Sequence, residues 1–211
     1  MPKSNEPPSS IKFPKILAVE GEDEKNFFDA LLRNLRISDI DIRIVGGKDQ
    51  FKSKLPALKN APGFFHADGS YFITHLAIVR DKDEDRAFES VVNIVERAGL
   101  KPPSSPSSFS NSKPKVGIFI MPGDTIEGTM LEDLCLKTVE AHPSMKCVGE
   151  FSSCVSSLET KPKNISKAKA QTFLATQPDF VNSVGLGAQK GYWDFESQCL
   201  AELKAFLSHL K

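Results

Sequence analysis

Two stretches decide the fold of this chain: ILAVEGEDE at residues 16–24 and LAIVRDKDED at residues 76–85. In each stretch, four apolar residues are followed by a cluster of acidic residues, directly in the first and after Arg80 in the second, and then by a segment with helical periodicity. A short apolar run of this kind is typical of a buried strand in a parallel sheet. Because parallel strands end at one edge, we expect both acidic clusters at the carboxyl edge, where open α/β sheets place their active sites.

The rest of the chain continues this alternation of strands and helices. The patterns predict strands at residues 15–20, 40–45, 71–80 and 115–121, and helices at residues 22–35, 48–60, 83–98, 129–139, 144–158, 165–175 and 193–210. Pro56 should shorten or kink the second helix. We therefore expect an α/β fold with a mainly parallel, Rossmann-like sheet flanked by helices and a C-terminal helical extension.

Composition favours one domain with polar additions. Residues 1–14 are rich in Pro, Ser and Lys and are predicted to form a flexible tail, while residues 15–211 are predicted to form a single domain. The low-complexity residues 101–114 are predicted to be a solvent loop. The glycine-containing residues 185–191 are predicted to be flexible.

Several classes of protein are disfavoured by composition. The 27 basic and 27 acidic residues give a net charge of zero, so the chain is not a globally cationic nucleic-acid binder. No apolar segment approaches the roughly 20 residues needed to span a bilayer, and the start of the chain lacks a signal-peptide core. We expect a cytoplasmic protein without a membrane partner. The four cysteines show no paired metal-ligand spacing and are predicted to be free thiols.

The acidic clusters predict a metal site. Carboxylates gathered at one edge of a sheet repel one another and raise each other's pKa unless a cation compensates them. Mg²⁺ or Mn²⁺, which prefer oxygen ligands, are the natural partners. The candidate ligands are the acids near the ends of the first and third predicted strands and one acid after the fourth, namely Glu20, Glu24, Asp81, Asp83 and Glu132. The sequence thus indicates metal-dependent phosphate chemistry.

The strand that ends in Glu20-Gly21, with the later strand that ends in Asp81-x-Asp83, resembles the Toprim domain of topoisomerases, primases and the nucleases of the overcoming-lysogenization-defect (OLD) type. The chain looks closer to small stand-alone Toprim-like proteins of bacteria and archaea. In that group a segment similar to GTMLEDL at residues 128–134 recurs, as does one similar to YWDF at residues 192–195. The resemblance spans about residues 15–207.

The resemblance implies roles for individual residues. Glu20 matches the Toprim glutamate, which serves as a general acid or base or as a metal ligand, and Asp81 and Asp83 match the aspartate pair that holds metal. Glu24 follows Glu20 by four residues, as in the Glu-x-x-x-Glu arrangement of the OLD-type nucleases. Divalent-metal-dependent hydrolysis of nucleic acid, in a prokaryotic setting, is what this likeness implies. The chain carries no strand-cleaving tyrosine domain and no zinc or priming module, which disfavours a topoisomerase or a primase.

Each candidate residue also has a structural interpretation. Glu20 could take part in an ion pair or a helix cap, Asp81 could lie in a solvated turn, and Asp83 could cap a helix. Glu24 and Glu132 could be ordinary helix acids. Glu22 and Asp23 are best explained by the helix dipole alone.

The basic residues offer two candidates for phosphate contact. Lys167 belongs to a cluster at residues 161–169 that is either solvated or placed against phosphate, and Lys190 lies in the glycine-containing stretch.

Three functions remain open at the level of sequence. The first is a nuclease in which Lys167 neutralises charge on the transferring phosphate. The second is a non-catalytic Toprim-like module that works with a partner such as a co-encoded ATPase, which the neutral net charge favours. The third is a phosphohydrolase acting on nucleotides. The acidic pocket is compatible with all three.

Overall fold

The computed structural model describes residues 9–82 and 85–211. The strands are β1 Lys15–Val19, β2 Ile40–Ile44, β3 His75–Asp81, β4 Ser108–Phe109 and β5 Lys115–Met121. The helices are α1 Glu22–Asn34, α2 Lys48–Lys59, α3 Ala87–Arg97, α4 Leu131–Thr138, α5 Met145–Ser156, α6 Ile165–Ala175, α7 Val184–Gln189 and α8 Ala201–Ser208, the last preceded by a short 3₁₀ turn. None of the helices in the described residues has the length and apolar character needed to cross a bilayer.

The strands form one sheet in the order β2-β1-β3-β5-β4. The first four of these strands are parallel, and β4 pairs antiparallel with β5. Val19 lies opposite Ile44, and Asp81 lies opposite Met121, so the parallel strands finish close to one carboxyl edge. The predicted α/β architecture, with a mainly parallel sheet and a C-terminal helix, is confirmed.

The sheet is covered on both faces, which explains why its central strands are apolar without interruption. Ile16 and Ala18 of β1 face a core built with α2 and α3, whereas Leu17 and Val19 face a core built with α1 and the later helices. The second core is the larger. It holds buried aromatic rings from α1, β5, α6 and α8, namely Phe27, Phe28, Phe119, Phe173 and Phe206.

The tail predicted at residues 1–14 is wrong for its described part; residues 1–8 lie outside the described residues. Ile11 is only 5% exposed, and its N–H donates to the carbonyl of Pro62. The Asp41 carboxylate accepts from the backbone N–H groups of Lys12 and Phe13 at 2.5 and 3.0 Å. One apolar side chain and three backbone hydrogen bonds therefore hold a segment that composition alone marked as mobile.

The solvent loop predicted at residues 101–114 is also wrong in its central part. It contains β4, and the ring of Phe109 stacks on Phe206 with the centroids 4.8 Å apart. Ser110 is buried, and the Ser107 hydroxyl donates to Glu202 Oε1 at 2.5 Å. A two-residue edge strand surrounded by Ser and Pro is too short to show a periodic pattern.

The glycine-containing stretch predicted to be flexible forms the short helix α7 instead. Its first turn is capped by the Ser183 hydroxyl, which accepts from the N–H of Leu186 at 3.2 Å. A Cβ on Gly185 would lie 2.4 Å from the carbonyl oxygen of Asp23, so this glycine allows α7 to approach α1 closely. The glycine is therefore explained by close packing.

Several details of the elements differ from the prediction. The last helix starts at Ala201 instead of residue 193, because the Trp193 ring stacks on Phe173 at 5.0 Å and its Nε1 donates to the carbonyl of Val184. β3 begins at His75 instead of residue 71. α2 continues through Pro56 to Lys59 without being shortened.

Candidate functional site

Glu20, directly after β1, is part of a nearly buried ion pair. Its Oε1 accepts from Arg80 Nε at 2.5 Å and from the N–H of Asp81 at 3.2 Å, and the Glu20 and Arg80 side chains are 16% and 7% exposed. The guanidinium also lies 4.7 Å from the centre of the Phe51 ring. A Cβ on Gly47 would meet Glu20 Oε2 at 3.1 Å, so this oxygen faces the backbone after β2. In this arrangement both oxygens of Glu20 lie against protein.

Asp81 joins the end of β3 to the start of α4. Its Oδ1 accepts from the N–H of Leu131, the first residue of that helix, at 3.2 Å. A carboxylate is favoured at this point because the first N–H groups of a helix have no partner within the helix. Asp83 lies outside the described residues, so the predicted sharing of one ion by Asp81 and Asp83 stays a prediction.

Asp81 also lines a cleft of about 470 Å³. The first turns of α1, α4, α6 and α7 surround this cleft, which opens beside the carboxyl edge of the sheet. We refer to it as the acidic cleft, since its ionisable lining consists of one lysine and five acids: Lys167, Glu22, Asp23, Glu24, Asp81 and Glu132.

Glu24 faces the acidic cleft from the first turn of α1. Burial raises the pKa of this carboxyl above its usual 4.5, and the negative charge of Glu20 raises it further, while the backbone N–H of Glu24 itself offsets part of the shift. Glu24 is therefore a carboxylate that binds a proton more readily than an exposed one.

Glu132 faces the same cleft from the first turn of α4. Burial is also the main cause that raises its pKa, with the nearby charge of Asp23 adding to the effect. The only ion pair of Glu132 in the described residues is with Lys167, whose Nζ lies 3.9 Å from Oε1 and lowers the pKa in part. The lysine side chain is 62% exposed, whereas that of Glu132 is 13% exposed. Lys167 thus reaches from solvent over a half-buried acid.

The N-terminal end of α6 fixes the backbone of Lys167. The side chain of Asn164 caps the helix by accepting from the N–H of Lys167 at 2.9 Å. Lys190, the second basic candidate, is not part of the cleft lining and forms an ion pair with Asp179 at 3.2 Å. The structure therefore brings Lys167, and not Lys190, to the acids.

Asp23 is a cleft residue that sequence reasoning assigned to the helix dipole alone. Its Oδ1 accepts from the N–H of Gly185 at 3.1 Å, which attaches α7 to α1. Its charge also raises the pKa of Glu132 across the cleft. The glycine pair in residues 185–187 was a signal of close helix packing, but the sequence did not show which helix is contacted.

The donor chemistry of the acidic cleft suits a hard cation. Its potential ligands are carboxylate oxygens, and two of them carry a raised pKa, which a bound cation would reverse. Within residues 9–82 and 85–211, no three His, Cys, Asp or Glu side chains are grouped closely enough to hold an ion directly. Mg²⁺ commonly uses one or two carboxylates and keeps several waters, so a ready cluster of three is not required.

Comparison with known proteins adds a family. No curated protein matches the chain. A crystal structure of a hypothetical protein, PH0156 from Pyrococcus horikoshii, is similar with a TM-score of 0.46 and 15% sequence identity, covering 94% of this chain and 98% of that one. Residues 14–211, which include the whole sheet and the acidic cleft, match the family described as "Protein of unknown function (DUF3226)", and the chain belongs to that family.

Proposed function

We propose that this protein is a Toprim-like enzyme that hydrolyses phosphodiester bonds of nucleic acid with the aid of Mg²⁺ or Mn²⁺. The observation that supports the proposal is the convergence of Glu24, Asp81 and Glu132 on the acidic cleft beside Lys167. Five acids and one lysine line the cleft, and burial raises the pKa of two of these acids, Glu24 and Glu132. A divalent cation would stabilise this arrangement.

In this proposal Glu24, Asp81 and Glu132 hold a hydrated cation, partly through its water ligands, and Asp83 would join them as the sequence predicts. Bound Mg²⁺ supplies charge neutralisation at phosphate oxygens and a lower pKa for a coordinated water. Glu20 acts as a positioning residue, because its Oε1 fixes both Arg80 and the backbone of Asp81. This role differs from the direct ligand expected from the resemblance.

Glu24 and Lys167 would carry the proton and charge chemistry. With the cation bound, Glu24 would stay an ionised carboxylate and would orient the attacking water by accepting a hydrogen bond from it. Lys167 is 62% exposed and only loosely paired with Glu132, so its ammonium can move to a phosphate oxygen and stabilise the charge that develops there.

A second candidate function is a non-catalytic module that works with a partner such as an ATPase. The specific observation in its favour is that two expected ligands have structural contacts. Glu20 is paired with Arg80, and Asp81 binds the first N–H of α4. A fold that kept these carboxylates for stability would need no metal.

Titration calorimetry with Mn²⁺ and cleavage assays on single- and double-stranded DNA and RNA test the proposal. The parent protein should bind Mn²⁺ and cleave at least one substrate only when Mg²⁺ or Mn²⁺ is present. Glu24→Gln should abolish both properties without unfolding the chain, since it removes a charge and keeps the shape. Asp29→Asn is the matched control: it changes an exposed acid on the same helix that does not line the cleft, and it should retain activity.

Asp81→Asn is a second variant at the other end of the cleft. An amide oxygen can still accept from the N–H of Leu131, so the cap of α4 is kept while the negative charge is lost. We expect loss of Mn²⁺ binding with little change in thermal stability. A parent protein that binds no Mn²⁺ and cleaves none of these substrates, alone or with a co-encoded ATPase, would favour the non-catalytic module.

A further inference from the structure

Within the described residues, the outer edge of β2 is open. This strand lies at the end of the sheet and pairs only with β1. The N–H of Val45 donates to the carbonyl of Val19 at 2.8 Å, so the odd-numbered residues direct their backbone groups toward β1. Ile40, Ile42 and Ile44 direct theirs outward, and no hydrogen bond of these groups occurs within the described residues. The edge therefore offers backbone hydrogen-bond donors and acceptors with the spacing that a neighbouring strand requires.

A groove of about 650 Å³ runs along this open edge. Its lining includes Lys25 of α1, Lys54 and Leu58 of α2, and residues of the segment before β1. From β2 it includes the consecutive residues 41–44. The lining thus follows the edge strand and combines apolar with polar groups, which suits an extended chain.

The groove has a positive rim. Arg43 also lines it, but its guanidinium is held by Asp41 at 3.1 Å and by Ser9 and Ser10. Three lysines remain, namely Lys12, Lys25 and Lys54, of which Lys25 has a loose contact of 3.6 Å with the exposed Glu22. Asp41 is the only acid of the lining. The free charge of the groove is therefore positive, in a chain whose net charge is zero.

We propose that this groove binds an acidic, extended segment of a partner protein, which adds to the sheet as a strand beside β2. The outward N–H and C=O groups of Ile40, Ile42 and Ile44 pair with the main chain of the segment, as in other cases of strand addition. The lysines of the rim attract its acidic side chains. The site is separate from the acidic cleft and does not depend on the function proposed for it.

The charge of the groove and the hydrogen-bonding pattern of the edge disfavour two other occupants. A second copy paired through the same edge would bring two sets of lysines together, and lysines along an edge strand are a common means of preventing such self-pairing. A nucleic-acid backbone carries the right charge but offers phosphates, which do not match alternating N–H and C=O groups. Nucleic acid is nevertheless a distinct outcome of the test.

The probe is a synthetic peptide of about seven residues, a usual strand length, with alternating aspartate and valine and blocked ends. Fluorescence anisotropy of the labelled peptide should show saturable binding to the full chain, weakened by salt. A peptide with lysine in place of aspartate should not bind. A third peptide, with aspartate and valine but N-methyl groups on alternate backbone nitrogens, should lose binding because it cannot pair with the edge.

Lys54→Glu combined with Lys25→Glu should lower the affinity for the acidic peptide by about tenfold or more, since two attractive contacts become repulsive. Lys52→Glu is the matched control: this exposed lysine is on α2 but outside the groove lining, and its variant should bind like the parent. Ile42→Pro removes one outward N–H and leaves the donors that face β1 in place, so binding should fall while circular dichroism stays that of the parent.

NMR spectra of the labelled protein locate the peptide. Amide signals of Ile40, Ile42 and Ile44 should shift and their hydrogen exchange should slow when the acidic peptide is added. Absence of saturable binding, equal binding of the lysine peptide, or shifts confined to other residues would overturn the proposal. Binding of an oligothymidylate at the same amides, with displacement of the peptide, would overturn it in favour of a nucleic-acid groove.

Discussion

At the scale of single residues, the ion pair between Glu20 and Arg80 shows that the position of a residue in a strand determines which face of the sheet its side chain occupies. Arg80 follows Leu76 and Ile78 at alternate positions of β3, and these two residues face the core formed with α2. The strand period therefore directs Arg80 toward Phe51, whereas the next residue, Asp81, belongs to the acidic cleft. The sequence predicted the edge of the sheet on which Glu20 lies. The pairing of its carboxylate with Arg80 could not be predicted, because it depends on the register of β1 and β3.

Breaking this pair should be costly. Arg80→Met leaves the carboxylate of Glu20 nearly buried without its cation, and we expect a loss of about 3 kcal/mol in the free energy of unfolding. The double variant Glu20→Gln with Arg80→Met removes both charges and should recover part of that loss. Urea denaturation of the two variants and the parent measures the difference. Equal stability of the parent and Arg80→Met would show that the pair does not hold the edge.

The raised pKa of Glu24 predicts a pH-dependent effect on stability. The folded protein binds this proton more tightly than the unfolded chain, so the free energy of unfolding falls as the pH rises from the usual carboxyl value of 4.5 through the raised value. In metal-free buffer at pH 7, Glu24→Gln should therefore raise Tm.

The gain should disappear below pH 4.5, where the carboxyl is protonated in both states. Thermal melts across this pH range, with Glu22→Gln as the control, provide the measurement. A constant gain at every pH would mean that the effect is unrelated to titration of Glu24.

At the scale of elements, periodic patterns located most of the framework. β1, β2 and β5 and the helices α1, α2 and α6 match their predicted bounds to within one or two residues, because each has an apolar face that repeats along several positions. β4 and α7 were missed. Both are short, and their positions depend on single contacts made by Phe109 and Gly185 with distant parts of the chain.

The packing of β4 can be tested through one ring. A Cβ on Gly117 would lie 2.5 Å from the ring of Phe109, so Gly117→Ala should destabilise the fold by pushing the ring off Phe206. Phe109→Ala should cost about 2–3 kcal/mol, somewhat less than for a fully buried ring. The two losses should not add, because Gly117→Ala has nothing to displace once the ring is gone. Additive losses in a urea double-mutant cycle would contradict this contact.

At the scale of the whole molecule, the candidate site is assembled from parts that the sequence could not bring together. The carboxyl edge was predictable, since parallel strands must end together. The acidic cleft also needs the first turns of α4, α6 and α7, which contribute Glu132, Lys167 and Ser183. These helices follow the last strand of the sheet, and no strand order constrains where they pack. Glu132 and Lys167 were named as candidates from the sequence, but the contribution of α7 and the packing of these helices around one cleft were not predicted.

The last helix, α8, makes the C-terminal segment important to the fold. Leu203, Phe206, Leu207 and Leu210 are at most 1% exposed, and the carbonyl of Leu210 accepts from Lys15 Nζ at 3.0 Å. A chain shortened after residue 200 should therefore lose its cooperative thermal transition, as judged by circular dichroism. Removal of the exposed Lys211 alone should leave the transition unchanged.

The anchoring of residues 107–110 has a consequence for digestion by proteases. By composition, the Ser- and Pro-rich residues 101–114 would be the first place to expect a cut. Their attachment through Phe109 and Glu202 should instead protect them from a protease of broad specificity. Residues 157–163, between α5 and α6, are all exposed and should be cut first. The resulting fragments should stay associated, since α6 packs on both α4 and α5 across the cut.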